Sequence, residues 1–135
     1  MVRRVLFVCV ENSARSQMAE AFFNRMAKNA RAESAGTRPA KSVNPLAIQV
    51  MREVGIDISG AKPKLLTPEM LEGVDRVITM GCAVGDVCPA TISTEDWSLE
   101  DPAGKPIEKF REIRDKIEEK VKRLVAELDN DEKLE

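Results

Sequence analysis

Histidine and tyrosine are both absent from the 135 residues of this chain. The lack of histidine removes the commonest transition-metal ligand and the usual general base, so a nucleophile here must be activated by other groups. The 21 basic and 23 acidic residues nearly balance. A net charge of −2 gives no electrostatic reason to expect a nucleic acid or an anionic membrane as a partner.

Long hydrophobic runs are also missing, and no apolar stretch approaches the roughly 18 residues that span a membrane. The apolar segment VLFVCV near the start is followed by ENSARSQ rather than by a cleavage site, which favours a buried first strand over a signal peptide. The three cysteines are an odd number and favour free or catalytic thiols over structural disulfides. We therefore expect a cytoplasmic protein without a membrane partner. A monomer is our expectation for its oligomeric state, which these features do not determine.

Predicted strands and helices alternate along the chain. The strands are Val2–Cys9, Arg31–Thr37, Arg76–Gly81 and Asp96–Leu99, and the helices are Ser13–Lys28, Pro45–Gly55, Thr67–Gly73 and Lys105–Leu128. This order predicts a single α/β domain over residues 1–135, with a parallel sheet and helices on both faces. Ligands bind at the carboxyl edge of such sheets, so we expect Cys9, Cys82 and Asp101 to lie near one crevice.

The segment CVENSARS joins the first strand to the first helix. Backbone N–H groups at such a junction, with the helix dipole, form a nest for a tetrahedral oxyanion. Arg15 adds paired donors, and the positive field favours the Cys9 thiolate, whose sulfur Ser16 can reach with a hydrogen bond. Asn12 tolerates a left-handed turn. The predicted oxyanion-binding loop comprises Val10, Glu11, Asn12, Ser13, Ala14, Arg15 and Ser16.

A plainer interpretation of the same segment is a buried structural cysteine followed by an ordinary surface arginine. A cysteine and an arginine at this spacing occur often by chance. Their position directly after an apolar strand, with a serine following and a helix beginning, favours the functional interpretation.

Several segments resemble one family. CVENSARSQMAE, SAGT, NPLAIQVMREVGIDIS, VITMGC and DWSLEDPAGKP are similar to the thioredoxin-coupled arsenate reductases, which share the fold of low-molecular-weight protein tyrosine phosphatases. The resemblance extends in order from about Val5 to the final helix. It implies a three-layer fold with a four-stranded parallel sheet, no bound cofactor, and external thioredoxin as the reductant.

The resemblance also implies a role for each reactive residue. Cys9 attacks arsenate, the loop and Arg15 hold its oxygens, and Asp101 protonates the leaving oxygen. Cys82 then attacks Cys9, releasing arsenite. Cys88 attacks Cys82 and leaves a Cys82–Cys88 disulfide for thioredoxin to reduce.

Two other functions remain open at this point. The first is a phosphatase for phosphotyrosine or a small phosphoester, acting through Cys9, Arg15 and Asp101, because arsenate and phosphate have nearly the same shape and charge. The cysteine pair and the absence of tyrosine favour the reductase. The second is a non-catalytic oxyanion sensor or redox adaptor. Cys82 and Cys88 lack a histidine or further cysteines beside them, so we predict no metal site.

Three positions depart from the family's pattern. Glu11 places a carboxylate in the loop, which weakens anion binding unless it points outward, as we expect. Ala14 stands where many relatives have a cysteine, so a disulfide within the loop is excluded. Some relatives bind potassium near the loop, but Lys64 falls where those relatives have an acid, so we do not predict the ion.

Overall fold

The computed structural model describes residues 3–80 and 94–134, and these ranges contain four strands and four helices. The strands are β1 (Arg3–Cys9), β2 (Ala30–Gly36), β3 (Arg76–Thr79) and β4 (Thr94–Asp96). The helices are α1 (Arg15–Met26), α2 (Pro45–Glu53), α3 (Pro68–Leu71) and α4 (Ile107–Leu134).

The four strands form one parallel sheet in the order β2-β1-β3-β4. The register places Cys9 of β1 opposite Gly36 of β2, and Val8 opposite Thr79 of β3. The chain leaves β1 toward β2 on one side and later returns to β3 on the other, so the strand order reverses beside β1. A reversal of this kind opens a crevice at the carboxyl ends of the strands, which is where Cys9 lies.

Side chains of β1 alternate between two apolar layers. Val5, Phe7 and Cys9 face a core that they share with α1, α2 and α4. Leu6 and Val8 face the opposite side of the sheet. The residues of that second layer are Leu6, Val8, Val77, Leu66, Met70, Leu71 and Val74, the last four from α3 and its flanks. Burial on both faces explains the uninterrupted apolar run of β1, and the predicted three-layer α/β fold is confirmed.

The fourth strand and the last helix differ from their predicted bounds. The strand was expected over Asp96–Leu99, but β4 pairs with β3 only over Thr94–Asp96. The expectation was wrong because Ser98 has a φ of 49°, a left-handed conformation that a strand does not accommodate. The prediction ended α4 at Leu128, the last residue of its apolar stripe, whereas the helix continues through a mostly charged segment to Leu134.

Helix α4 covers the core with one apolar stripe. Its fully buried residues recur three or four positions apart and are Phe110, Ile113, Ile117 and Val121. Charged side chains occupy much of its outer face, as expected of an amphipathic surface helix. Among the residues described, no helix is both long enough and apolar enough to cross a membrane.

Candidate active site

The loop between β1 and α1 lies at the carboxyl edge of the sheet. Cys9 ends β1 with 2% of its surface exposed, and Arg15 begins α1. Asn12 has a φ of 52°, the left-handed conformation that its residue type was expected to tolerate. This one left-handed residue lets the chain reverse within a few residues and enter the helix.

The carbonyl groups of the loop point away from the site. Four of them accept hydrogen bonds from the segment after β2: Cys9 from Thr37 (3.2 Å), Val10 from Arg38 (2.8 Å), Glu11 from Ala40 (2.9 Å) and Ser13 from Asn44 (2.9 Å). In a trans peptide the N–H points opposite to the C=O, so the partner N–H groups face inward. With the start of α1 they form the predicted nest of donors around the Cys9 sulfur.

The Cys9 sulfur lies within hydrogen-bond distance of two polar groups. The Asn12 backbone N–H donates to Sγ at 3.2 Å, and Ser16 Oγ lies 2.8 Å from Sγ, which confirms the expected contact with Ser16. Ser16 Oγ also accepts a hydrogen bond from Asn12 Nδ2 at 2.7 Å, and its own hydrogen is free to be donated to the sulfur. These two contacts hold the Cys9 sulfur at the base of the loop, where the nucleophile of an oxyanion site is needed.

The Asn12 side chain holds the loop in place and is fully buried. Its Oδ1 accepts hydrogen bonds from the Lys64 backbone N–H (2.9 Å) and from Gln17 Nε2 (3.1 Å), while Nδ2 donates to Ser16. The sequence indicated a turn at Asn12 but not this bridge. Gln17 and Lys64 were not predicted as parts of the site, and no local pattern connects Lys64 to the loop.

Gly36 allows the loop to pack against the end of β2. A Cβ at this position would lie 2.5 Å from the Val10 carbonyl oxygen and 3.0 Å from the Asn12 backbone nitrogen. Atoms do not approach so closely, so a side chain here would push the loop outward. The glycine of the SAGT segment was visible in the sequence, but its contact with the loop was not.

Arg15 has two sets of contacts and is 5% exposed. Its Nη1 donates to the backbone carbonyls of Met80 and of Leu99, the latter at 3.0 Å. These bonds use the two hydrogens of Nη1, so Nε and Nη2 form the edge of the guanidinium that can hold two oxygens of an anion. Arg15 therefore also ties the end of β3 to the segment that follows β4.

Asp101 lies beside Arg15 and lines the same small cavity as Cys9. Its Oδ2 is 3.7 Å from Arg15 Nη2, and its Oδ1 accepts a hydrogen bond from the Ala103 N–H at 3.0 Å. The side chain is 52% exposed. The full lining of the cavity is Cys9, Glu11, Ser13, Ala14, Arg15 and Asp101. A carboxyl at its mouth can exchange protons with solvent and deliver one to a bound oxyanion.

The two charged departures from the family's pattern lie at the edge of the site. Glu11 is exposed at the rim of the cavity that it helps to line, with Oε2 3.4 Å from the Ser13 hydroxyl that donates to it. Lys64 Nζ lies 4.0 Å from Glu20 Oε1 on α1. Burial raises the pKa of Glu20 above its ordinary value, and the Lys64 ammonium opposes this rise. Cys82 and Cys88 lie outside the described residues.

A buried cysteine sulfur, a ring of backbone donors and an arginine at the carboxyl edge of a parallel sheet define a class of thiol enzymes that act on tetrahedral oxyanions. Residues 4–134 match the family described as low molecular weight phosphotyrosine protein phosphatase. The chain belongs to this family.

Some relatives within the family are named arsenate reductases and others are named phosphatases. A Synechocystis protein called glutaredoxin arsenate reductase is 38% identical over 131 residues, which cover 94% of this chain and 99% of the relative. A thioredoxin-dependent arsenate reductase from Corynebacterium glutamicum superimposes with a TM-score of 0.82 at 38% identity, covering 96% of this chain and 63% of that one. A low molecular weight protein tyrosine phosphatase from T. tengcongensis has a TM-score of 0.80 at 31% identity, with 93% and 99% covered.

Proposed function

We propose that this protein reduces arsenate to arsenite, with Cys9 as the nucleophile. The observation that carries the proposal is the buried Cys9 sulfur, which accepts a hydrogen bond from the Asn12 N–H and faces the Ser16 hydroxyl at the base of the loop. Relatives that are 38% identical over nearly the whole chain are named arsenate reductases, which supports this substrate over other oxyanions.

The first step forms a bond between Cys9 and arsenic. The Cys9 thiolate attacks arsenate while Nε and Nη2 of Arg15 and the loop N–H groups hold the remaining oxygens. One As–O bond breaks, and Asp101 gives the departing oxygen a proton so that it leaves as water. Arsenic stays in its oxidised state at this stage, attached to the Cys9 sulfur.

The second step reduces the arsenic. The Cys82 thiolate attacks the Cys9 sulfur, an S–S bond forms, and the electron pair of the broken S–As bond stays on arsenic, which leaves as arsenite. Cys88 then attacks Cys82 and releases the Cys9 thiolate. The remaining Cys82–Cys88 disulfide returns to two thiols by exchange with an external dithiol.

The external dithiol is proposed to be thioredoxin, with no cofactor bound to the chain itself. One structural neighbour is called thioredoxin-dependent, which supports this choice. Another relative is called a glutaredoxin arsenate reductase, so a glutaredoxin is the alternative reductant to compare. A single domain acting as a cytoplasmic monomer completes the proposal.

The test is steady-state arsenite production with thioredoxin, thioredoxin reductase and NADPH. The wild type is compared with Cys82→Ser and Cys88→Ser, and glutaredoxin with glutathione replaces thioredoxin in a parallel series. We expect both variants to lose turnover with either reductant. Turnover of both variants at the wild-type rate would exclude the relay.

Phosphoester hydrolysis is a second candidate function because the same loop, Arg15 and Asp101 can serve phosphate. The T. tengcongensis phosphatase, at 31% identity, supports a residual activity of this kind. Hydrolysis of p-nitrophenyl phosphate should disappear in Cys9→Ser and fall strongly in Asp101→Asn. Hydrolysis that persists in Cys9→Ser would reject Cys9 as the nucleophile.

A further inference from the structure

Asp101 is held over the site by the turn that follows β4, at residues 97–101. The Asp101 side chain is half exposed, so its contacts with the Ala103 N–H and with Arg15 are open to solvent and do not fix its position by themselves. The turn is instead attached to the body of the protein upstream of Asp101. Arg15 Nη1 donates to the Leu99 carbonyl at 3.0 Å, and the Trp97 N–H donates to the Thr79 carbonyl at 2.9 Å.

The Asp96 carboxylate makes a further attachment with both of its oxygens. Thr79 Oγ1 donates to Oδ1 at 2.8 Å, and Ser98 Oγ donates to Oδ2 at 2.7 Å. Thr79 is buried at the end of β3, whereas Ser98 lies inside the turn. One carboxylate therefore joins the sheet to the turn that holds Asp101.

Ser98 adopts an unfavourable backbone conformation. Its φ of 49° is left-handed, which a residue with a Cβ adopts only at an energetic cost. The hydrogen bond to Asp96 offsets part of that cost and holds the turn in the shape that brings Leu99 to Arg15. Without it, the turn would relax toward a more ordinary conformation and carry Asp101 with it.

We propose that Asp96 is a positioning residue for Asp101, acting through its paired hydrogen bonds to Thr79 and Ser98. This inference rests on the proposed role of Asp101 as the general acid. Asp96 itself touches neither the Cys9 sulfur nor the bound oxyanion in this scheme. Its effect is confined to the geometry of the proton donor.

Hydrogen exchange gives a test that does not depend on activity. In Asp96→Ala, amides of the peptide spanning residues 97–103 should exchange about tenfold faster, while the α1 amides keep their wild-type rates. Asp115→Ala, which removes an exposed carboxylate on α4 paired with Arg114, serves as the matched control. Unchanged exchange over residues 97–103 would overturn the inference whatever the kinetics show.

Kinetics distinguish positioning from general damage through the leaving group. Phenyl phosphate depends on protonation of its leaving oxygen more than p-nitrophenyl phosphate does. Loss of the acid therefore raises the leaving-group ratio, which is kcat/KM for p-nitrophenyl phosphate divided by kcat/KM for phenyl phosphate. We expect this ratio to rise about tenfold in Asp101→Asn and about threefold in Asp96→Ala. In the Asp101→Asn background, Asp96→Ala should change the ratio no further, because the two residues act as a unit.

Conservative variants sharpen the test. The side-chain amide of Asp96→Asn can still accept a hydrogen bond from Thr79 and can donate one to Ser98. This variant should therefore keep most of the wild-type ratio. Ser98→Gly removes the left-handed cost and should change the ratio less than Ser98→Ala does. If Asp96→Ala lowered kcat/KM equally for both substrates, the proposal that Asp96 positions Asp101 would be overturned. If the ratio fails to rise in Asp101→Asn, the general-acid role itself is wrong.

Discussion

The loop from Cys9 to Ser16 and the charged surface between α2 and α4 are both dense in polar contacts, but they differ in burial. In the loop, Asn12 and Ser16 are fully buried and Arg15 nearly so. On the surface, Glu53 receives hydrogen bonds from Arg111 and Arg114 at distances between 2.7 and 3.1 Å, and all three side chains reach solvent.

This difference decides how much each network matters. A buried polar group whose partner is removed keeps its desolvation cost, and its neighbours move to satisfy it. An exposed ion pair loses little when broken, because water and salt ions replace the partner. We therefore expect substitutions in the loop network to affect activity strongly and substitutions in the surface network to affect it hardly at all.

The largest effect is expected from Asn12→Ala. It removes three side-chain hydrogen bonds, two of them buried, and the residue type that tolerates the left-handed turn. We expect kcat/KM to fall about 100-fold and the free energy of unfolding to fall by about 1–3 kcal/mol. Asn24→Ala is the matched control, since Asn24 also bridges two segments through hydrogen bonds with Ala32. That control should lose stability but keep its activity; equal activity loss in both would remove the special status of the loop.

A smaller effect is expected from Gly36→Ala. The added methyl would meet the Val10 carbonyl oxygen at 2.5 Å, so the loop must shift away from β2. We expect kcat/KM to fall about tenfold, because small displacements of positioning groups are costly to catalysis. Gly60→Ala provides the control, since a methyl there meets nothing within 4 Å. Steady-state kinetics should give a lower kcat/KM for Gly36→Ala than for Gly60→Ala. Equal values would contradict the expectation that a displaced loop is costly to catalysis.

The surface network should matter for acid stability rather than for activity. Hydrogen bonds and charge from Arg111 and Arg114 lower the pKa of Glu53 to about 2, from an ordinary value of 4.5. The stability that the ionised Glu53 carboxylate gives to the folded state is therefore fully present above pH 4.5 and is lost as the pH falls toward 2. Glu53→Gln should match wild-type kcat/KM and be slightly less stable at pH 7, with the difference shrinking on acidification or in high salt. A difference that grows in acid would contradict this assignment.

The smallest effect is expected from Glu20, whose carboxyl responds to pH in the opposite direction. Burial raises its pKa, so the folded state holds a proton more tightly there than the unfolded chain does. Its contribution to stability rises as the pH falls through that raised pKa and is lost at higher pH. Urea unfolding of wild type and Glu20→Gln should show the wild type gaining on the variant between pH 7 and 4. A wild type that loses ground on acidification would show that the Lys64 ammonium, rather than burial, dominates.

Local patterns carried much of the fold and the centre of the candidate site. The uninterrupted apolar run of β1 and the helical spacing after it placed Cys9 and Arg15 on either side of one turn. Contacts between distant segments were out of reach, because no periodicity connects Asn12 with Lys64, 52 positions away. The predicted position of β4 was wrong for a related reason. The left-handed conformation of Ser98 depends on its contacts with Asp96 and, through Asp96, with Thr79, and a serine in the sequence does not by itself indicate that conformation.

The most direct measurement is a single turnover of arsenate without any external reductant, followed by mapping of the thiols by mass spectrometry. For the wild type we predict a single equivalent of arsenite per chain and a Cys82–Cys88 disulfide, with Cys9 free. For Cys88→Ser we predict the same yield with a trapped Cys9–Cys82 disulfide. Arsenite released while all three thiols of the wild type stay reduced, or a Cys9 that remains free in Cys88→Ser, would contradict the account.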